Sequence, residues 1–70
     1  MNVKMYGTNH CSKCKILEQK LNKNKIQYEH ITDEELMIGM GFRSVPMLEV
    51  DGVIMDFAEA IKWVNYIEQN

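Results

Sequence analysis

The sequence has few of the residues that form disulfides or fix turns, and it has no long apolar run. Its 70 residues include two cysteines and one proline, and no apolar run approaches the roughly 18 residues of a membrane-spanning helix. The first residues, Met-Asn-Val-Lys-Met-Tyr, lack the apolar stretch and small-residue cleavage site of a signal peptide. We therefore expect a cytoplasmic protein that has no membrane association.

An excess of positive charge is also missing, because eight basic residues face ten acidic ones. This balance argues against a nucleic-acid-binding protein. The charge is unevenly distributed: residues 1–25 contain six lysines and one acid, and residues 26–70 contain two basic residues and nine acids. The excess of lysines places positive potential around both cysteines.

The length predicts a single domain over residues 1–70 with a thin core.

Hydrophobic periodicity predicts seven secondary-structure elements. Period-two alternation indicates strands, and spacings of three, four and seven residues indicate helices. The predicted strands are residues 3–6, 26–31, 47–50 and 53–55, and the predicted helices are residues 12–24, a helix of about two turns from Thr32, and residues 57–67. The order is therefore β-α-β-α-β-β-α. A right-handed parallel crossover followed by a hairpin gives an α/β fold, with a mixed four-stranded sheet covered by three helices.

Three local signals set the element boundaries. Thr32 and Glu35 match the capping box that begins a helix. Asp51-Gly52 is a strong signal for a tight hairpin turn. Asp56, with Glu59 three residues later, predicts the N-cap of the last helix.

The two cysteines form the motif Cys11-Ser12-Lys13-Cys14 at the junction of the first strand and first helix. A disulfide closing so short a ring contributes only about 2 kcal/mol of loop entropy, so a purely structural role explains it poorly. At a helix N-terminus, backbone amides and the helix dipole favour a thiolate. Cys14 lies almost one turn further on, within disulfide reach of Cys11.

This placement predicts a redox-active disulfide with two distinct catalytic roles. Cys11 attacks a substrate disulfide, and Cys14 then attacks Cys11 to release the reduced substrate. A metal site is an alternative, although zinc and iron–sulfur clusters usually take four protein ligands. Only His10 and His30 could supplement the cysteines, so we expect no metal within one chain. A cluster bridging two chains, or inert packing cysteines, are further alternatives.

Several motifs together resemble the glutaredoxin-like redoxins of the thioredoxin fold. They are Met5-Tyr6-Gly7, the Cys11–Cys14 motif, Ser44-Val45-Pro46 and Asp51-Gly52, and the resemblance covers essentially the whole chain. It implies a cis Val45–Pro46 bond, with the Val45 backbone pairing with substrate or glutathione and Pro46 packing near the sulfurs. It also implies a dithiol disulfide reductase acting in electron transport and cell redox homeostasis.

The same resemblance implies that no cofactor is bound and that glutathione or a thioredoxin reductase is the external reductant. Lys13 is a candidate cation for glutathione or substrate. His10, directly before the nucleophile, is a candidate substrate-site residue that tunes the nucleophile's pKa or shuttles protons; the alternative is an exposed loop residue with no such role. The expected partner is a disulfide-containing protein, with ribonucleotide reductase as one candidate, and we expect a monomer. The alternative function is a non-catalytic iron–sulfur cluster carrier or a dedicated electron-transfer partner, such as a ribonucleotide reductase reductant.

Two departures from the glutaredoxin pattern bear on the reductant. Thr8 stands where glutathione-using glutaredoxins often carry Lys or Arg. Asp56-Phe57 stands where they carry a Gly-Gly pair whose amides receive a glutathione carboxylate. Both departures favour the ribonucleotide-reductase-associated redoxins, which are reduced by thioredoxin reductase.

Overall fold

The computed structural model describes residues 1–69 and contains a mixed four-stranded sheet with three helices. The elements are β1 (Val3–Tyr6), α1 (Ser12–Lys23), β2 (Glu29–Ile31), α2 (Glu34–Gly39), β3 (Met47–Val50), β4 (Val53–Met55) and α3 (Phe57–Glu68). The strand order is β2-β1-β3-β4. β1 and β2 are parallel, whereas β3 is antiparallel to both of its neighbours. The predicted α/β fold and element order are confirmed.

The sheet register brings three loops to the same end of the molecule. Tyr6, the last residue of β1, pairs with Met47, the first residue of β3. Because β4 runs antiparallel to β3, its last residue Met55 also lies near this end, opposite Leu48. The loop after β1, the loop before β3 and the start of α3 therefore meet at one edge of the sheet.

One face of the sheet holds the main hydrophobic core. Side chains alternate between the two faces of a strand, and Val3 and Met5 of β1 point toward α1 and α3. Leu17, Leu48 and Val64 are fully buried in this cluster. The cysteine motif is anchored to this core because Cys14 belongs to the same cluster.

The opposite face of the sheet is organised around Tyr6, which is also buried. Its ring packs edge-to-face on Phe42, with ring centroids 5.1 Å apart. Its hydroxyl donates a hydrogen bond to Oε1 of Glu49 at 3.1 Å. Burial, and secondarily the Glu49 carboxylate, raise the pKa of Tyr6 above its ordinary value, because both disfavour the phenolate.

Tyr6→Phe is expected to cost about 1 kcal/mol at pH 7, the typical net value of one hydrogen bond. Because the raised pKa of Tyr6 means that the folded state holds the phenol proton more tightly, this group stabilises the fold below pH 10. That contribution is lost as pH rises through the raised pKa. The variant should therefore lose stability less steeply above pH 10. Urea unfolding at pH 7 and at several alkaline values tests this, and equal alkaline slopes for both proteins would contradict it.

Two predicted boundaries are wrong by a few residues. The short helix is capped by Asp33, whose Oδ1 accepts the N–H of Leu36 at 3.1 Å, so it begins at Glu34 and not at Thr32. Aspartate is at least as good an N-cap as threonine. The second strand begins at Glu29 and not at residue 26, because the amide of Ile26 donates to the carbonyl of Leu21 at 3.0 Å and continues the end of α1.

The other two boundary signals are confirmed. Asp51 and Gly52 have φ of 48° and 87°, the positive values that a type I′ hairpin turn requires. Asp56 and Glu59 form a complete capping box at the start of α3. Within residues 1–69, no helix combines the length and apolarity needed to cross a membrane.

Candidate active site

Cys11 is the N-cap of α1. Its backbone is extended, with φ −108° and ψ 113°, and its carbonyl accepts the first helical hydrogen bond, from the amide of Lys15. Its Sγ accepts the backbone N–H of Cys14 at 3.1 Å. No acidic residue lies in the first turn of the helix. A negative charge on this sulfur would therefore meet an amide donor and the positive end of the helix dipole.

Cys14 lies one turn further along α1 and differs from Cys11 in its surroundings. It is 1% exposed and belongs to the core, whereas Cys11 is half-buried. The two residues are joined by a disulfide, with their Cα atoms 5.2 Å apart. The pair therefore consists of one cysteine that is partly exposed and one that is enclosed by the protein.

The loop before β3 faces Cys11. The carbonyl oxygen of Val45 lies 3.8 Å from Sγ of Cys11. The Val45–Pro46 peptide bond is cis, as the resemblance implied, and Pro46 is fully buried. Val45 is half-buried and packs against the core. The structure thus brings the Cys11–Cys14 pair together with Val45, which lies more than 30 residues further along the sequence.

The N-terminus of α3 closes another side of the site. The ammonium of Lys13 lies 5.5 Å from the ring centroid of Phe57, within the range of a cation–π interaction. At the helix start, Oδ1 of Asp56 accepts the N–H of Glu59 at 2.8 Å, and Oε1 of Glu59 accepts the N–H of Asp56 at 3.1 Å. Two of the amides at the start of α3 are therefore occupied by the chain's own carboxylates.

A groove of about 230 Å³ borders Val45 on the side of α2. Its lining is mainly apolar, and Arg43 is the cation among the lining residues. The lining residues are Thr8, Glu34, Met37, Ile38, Phe42, Arg43, Ser44 and Val45. Val45 thus borders both this groove and Cys11.

Neither histidine forms part of the site around the cysteine pair. His10 is exposed in the turn before Cys11. His30 lies on β2, where its Nδ1 is 3.2 Å from Oε1 of Glu18, beside a larger open cavity of about 640 Å³ between α1 and β2. None of the residues lining that cavity belongs to the loops that hold the cysteines. In the part of the chain that the structure describes, no three His, Cys, Asp or Glu side chains converge as metal ligands would.

Gly7 is a site residue that the sequence reasoning missed. It is buried directly after β1, and its amide donates to the carbonyl of Ile31 at 3.0 Å. A Cβ atom added at Gly7 would lie 2.7 Å from Sγ and 3.3 Å from Cβ of Cys14. The available signal was a glycine at the end of the strand that leads into the cysteine motif.

Comparison with known proteins agrees with this architecture at the level of the fold. No family model matches the sequence. No curated protein matches it either. Among solved structures, the glutaredoxin-like protein NrdH-redoxin from Escherichia coli superposes with a TM-score of 0.77 at 18% identity, covering 96% of this chain and 95% of that one. The T8A mutant of the thioredoxin-like protein BC3987 superposes with a TM-score of 0.78 at 18% identity, covering 99% and 97%.

The chain therefore has a thioredoxin-like fold, in the form seen in glutaredoxin-like proteins. The similarity extends over nearly the whole length of both neighbours. At 18% identity, this similarity shows the fold alone.

Proposed function

We propose that this protein is a thiol–disulfide oxidoreductase in which Cys11 is the nucleophile and Cys14 the resolving thiol. The observation that carries the proposal is the asymmetry of the pair. Cys11 is accessible, caps a helix and accepts an amide hydrogen bond, whereas Cys14 is 1% exposed. A thiolate is the reactive form of cysteine, and these surroundings favour it at Cys11.

The reaction transfers two electrons from the protein to the substrate. The Cys11 thiolate attacks one sulfur of a substrate disulfide, which breaks that bond, forms a mixed disulfide and releases the first substrate thiolate. Cys14 gives up its proton and attacks Sγ of Cys11. The mixed disulfide breaks, the second substrate thiol leaves with a proton, and the Cys11–Cys14 disulfide seen in the structure is formed. A separate reductant then restores both thiols.

The Val45 carbonyl supports a role for the β3 loop in binding substrate. It lies beside the sulfur that would carry the mixed disulfide, so an extended substrate backbone could accept and donate hydrogen bonds there in the manner of an added strand. Pro46 fixes the end of this loop in the core. His10, directly before the nucleophile, and Lys13, two residues after it, are proposed as secondary substrate contacts.

The start of α3 bears on the reductant. Glutathione carries carboxylates, which need cations or free amides. The Asp56 and Glu59 side chains occupy two of the amides at the start of α3 and place negative charge there, and Lys13 lies over Phe57. We therefore propose that a thioredoxin-reductase-type enzyme reduces the protein faster than glutathione does. The neighbour NrdH-redoxin is described as glutaredoxin-like with a thioredoxin-like activity profile. This description supports the proposal that the present protein also combines a glutaredoxin-like fold with thioredoxin-like activity.

As the sequence resemblance implies, we propose a ribonucleotide-reductase-type disulfide as a candidate physiological substrate. We also propose that the protein acts as a cytoplasmic monomer. Reduction of insulin disulfides in the presence of each reductant tests the proposed activity. We expect turnover with NADPH and thioredoxin reductase, and slow turnover with glutathione at low millimolar concentration. Failure to reduce insulin or a small mixed disulfide with either reductant would overturn the proposed function.

Asp56→Asn should raise the rate of reduction by glutathione about fivefold at subsaturating concentration. Asparagine still caps a helix, so the variant removes a charge whose repulsion of a nearby carboxylate is about 1 kcal/mol in water. Asp51→Asn, in the hairpin turn at the other end of the sheet, is the charge-matched control and should leave the rate unchanged. Equal rates for Asp56→Asn and wild type would show that Asp56 does not oppose glutathione.

A further inference from the structure

Gly7 and Cys14 are packed more closely than any side chain at position 7 would permit. Real Cβ atoms essentially never approach another heavy atom within 3.0 Å, yet a Cβ on Gly7 would lie 2.7 Å from Sγ of Cys14. Interiors packed at crystal-like density accommodate such a conflict only by moving atoms. The cost of a side chain at position 7 therefore depends on which atoms can move in each redox state.

The two redox states differ in the freedom of the Cys14 sulfur. When Cys14 is bonded to Cys11, its Sγ is fixed from two directions, by its own Cβ and by the Sγ of Cys11. When the bond is open, the side chain can turn to another χ1 rotamer and withdraw from position 7. The 3.3 Å contact with Cβ of Cys14 does not depend on the Cys14 χ1 angle, whereas the Sγ contact can be relieved by a change of χ1 only when the disulfide is open.

We infer that Gly7 is a positioning residue that sets the redox equilibrium of the Cys11–Cys14 pair. Its missing side chain leaves the space that the Cys14 sulfur occupies when the disulfide is formed. A methyl group at this position would disfavour the oxidised protein relative to the reduced one and make the protein a weaker reductant. This inference rests on the proposed function, because it concerns the same pair of sulfurs.

Equilibration of Gly7→Ala with glutathione redox buffers tests the inference. We expect the equilibrium constant for forming the disulfide to fall at least tenfold, which corresponds to about 30 mV for a two-electron couple. The alkylation rate of Cys11 in the reduced variant should stay within about twofold of wild type, because the Cys11 N-cap is unchanged. Gly39→Ala is the matched control, since a Cβ there meets no atom within 4 Å.

Several outcomes would overturn the inference. An equilibrium constant within twofold of wild type for Gly7→Ala, or an equal shift for Gly39→Ala, would show that position 7 does not control the pair. Those results would leave the proposed function standing. A wild-type protein that forms no Cys11–Cys14 disulfide in the same buffers would overturn both the inference and the proposed function.

A double-mutant cycle covers the case in which oxidised Gly7→Ala fails to fold. Gly7→Ala is combined with Cys14→Ala, which removes the sulfur but keeps Cβ. Gly7→Ala should lower the equilibrium constant for folding in both backgrounds. We expect the factor by which it falls to be at least ten times smaller in the Cys14→Ala background than in the oxidised protein. Equal penalties in the two backgrounds would show that the sulfur is not the atom that requires glycine, and would overturn the inference.

Discussion

Cys11→Ser is expected to abolish disulfide reduction, whereas Cys14→Ser should retain the first half of the reaction. Serine at position 11 leaves no accessible thiolate, because Cys14 is buried in the core. With serine at position 14, Cys11 can still attack a substrate disulfide, but no second thiol is available to release the product. The Cys14→Ser protein should therefore accumulate as a mixed disulfide with protein substrates, visible by mass spectrometry as a covalent adduct.

Ser12→Ala is a suitable control for these two variants. It changes an exposed hydroxyl between the cysteines without removing a sulfur, and it should retain turnover. Adduct formation by Cys11→Ser would show that the two roles have been assigned in reverse. Normal turnover of protein substrates by Cys14→Ser would show that Cys14 is not the resolving thiol.

Leu48→Ala should remove a large part of the free energy of unfolding. Leu48 is fully buried at the centre of the sheet, where it pairs with Met5, and such truncations cost about 2–5 kcal/mol. A domain of this length has only about 4–10 kcal/mol in total. Leu48 also lies two residues after Pro46, so its loss should loosen the loop that faces Cys11. Urea unfolding, followed by circular dichroism, measures the cost.

Leu36→Ala is the matched control, because Leu36 is 45% exposed on α2. Its substitution should change stability by less than about 0.5 kcal/mol, as is usual for surface positions. If the two variants lose equal stability, the sheet face assigned to the core is wrong.

Elements whose determinants lie close together in sequence could be predicted. The cysteine spacing, the Asp51-Gly52 turn and the Asp56–Glu59 capping box each depend on contacts within a few residues. The two boundary errors have the same explanation, because each involved local signals that compete. Thr32 and Asp33 are adjacent N-cap candidates, and Ile26 satisfied its amide with α1 instead of a strand.

The contacts that build the site depend on the sheet register and on the path of the chain between elements, which no local pattern specifies. Val45 reaches Cys11 because β3 starts where β1 ends. Gly7 meets Cys14 because the turn between β1 and α1 folds the helix back over the strand. Lys13 and Phe57 meet because β4 ends, and α3 begins, at the edge of the sheet where α1 also begins. The resemblance to glutaredoxin-like redoxins implied the first of these contacts, whereas the other two emerged from the structure.

Limited alkylation of the fully reduced protein tests the central assignment most directly. The protein is treated with less than one equivalent of iodoacetamide, denatured, and then labelled with excess heavy-isotope reagent. Because Lys13 lies between the cysteines, trypsin separates residues 5–13, which contain Cys11, from Cys14. We expect the light label almost entirely on Cys11, the partly exposed thiol that caps α1. Preferential light labelling of Cys14 would contradict this assignment.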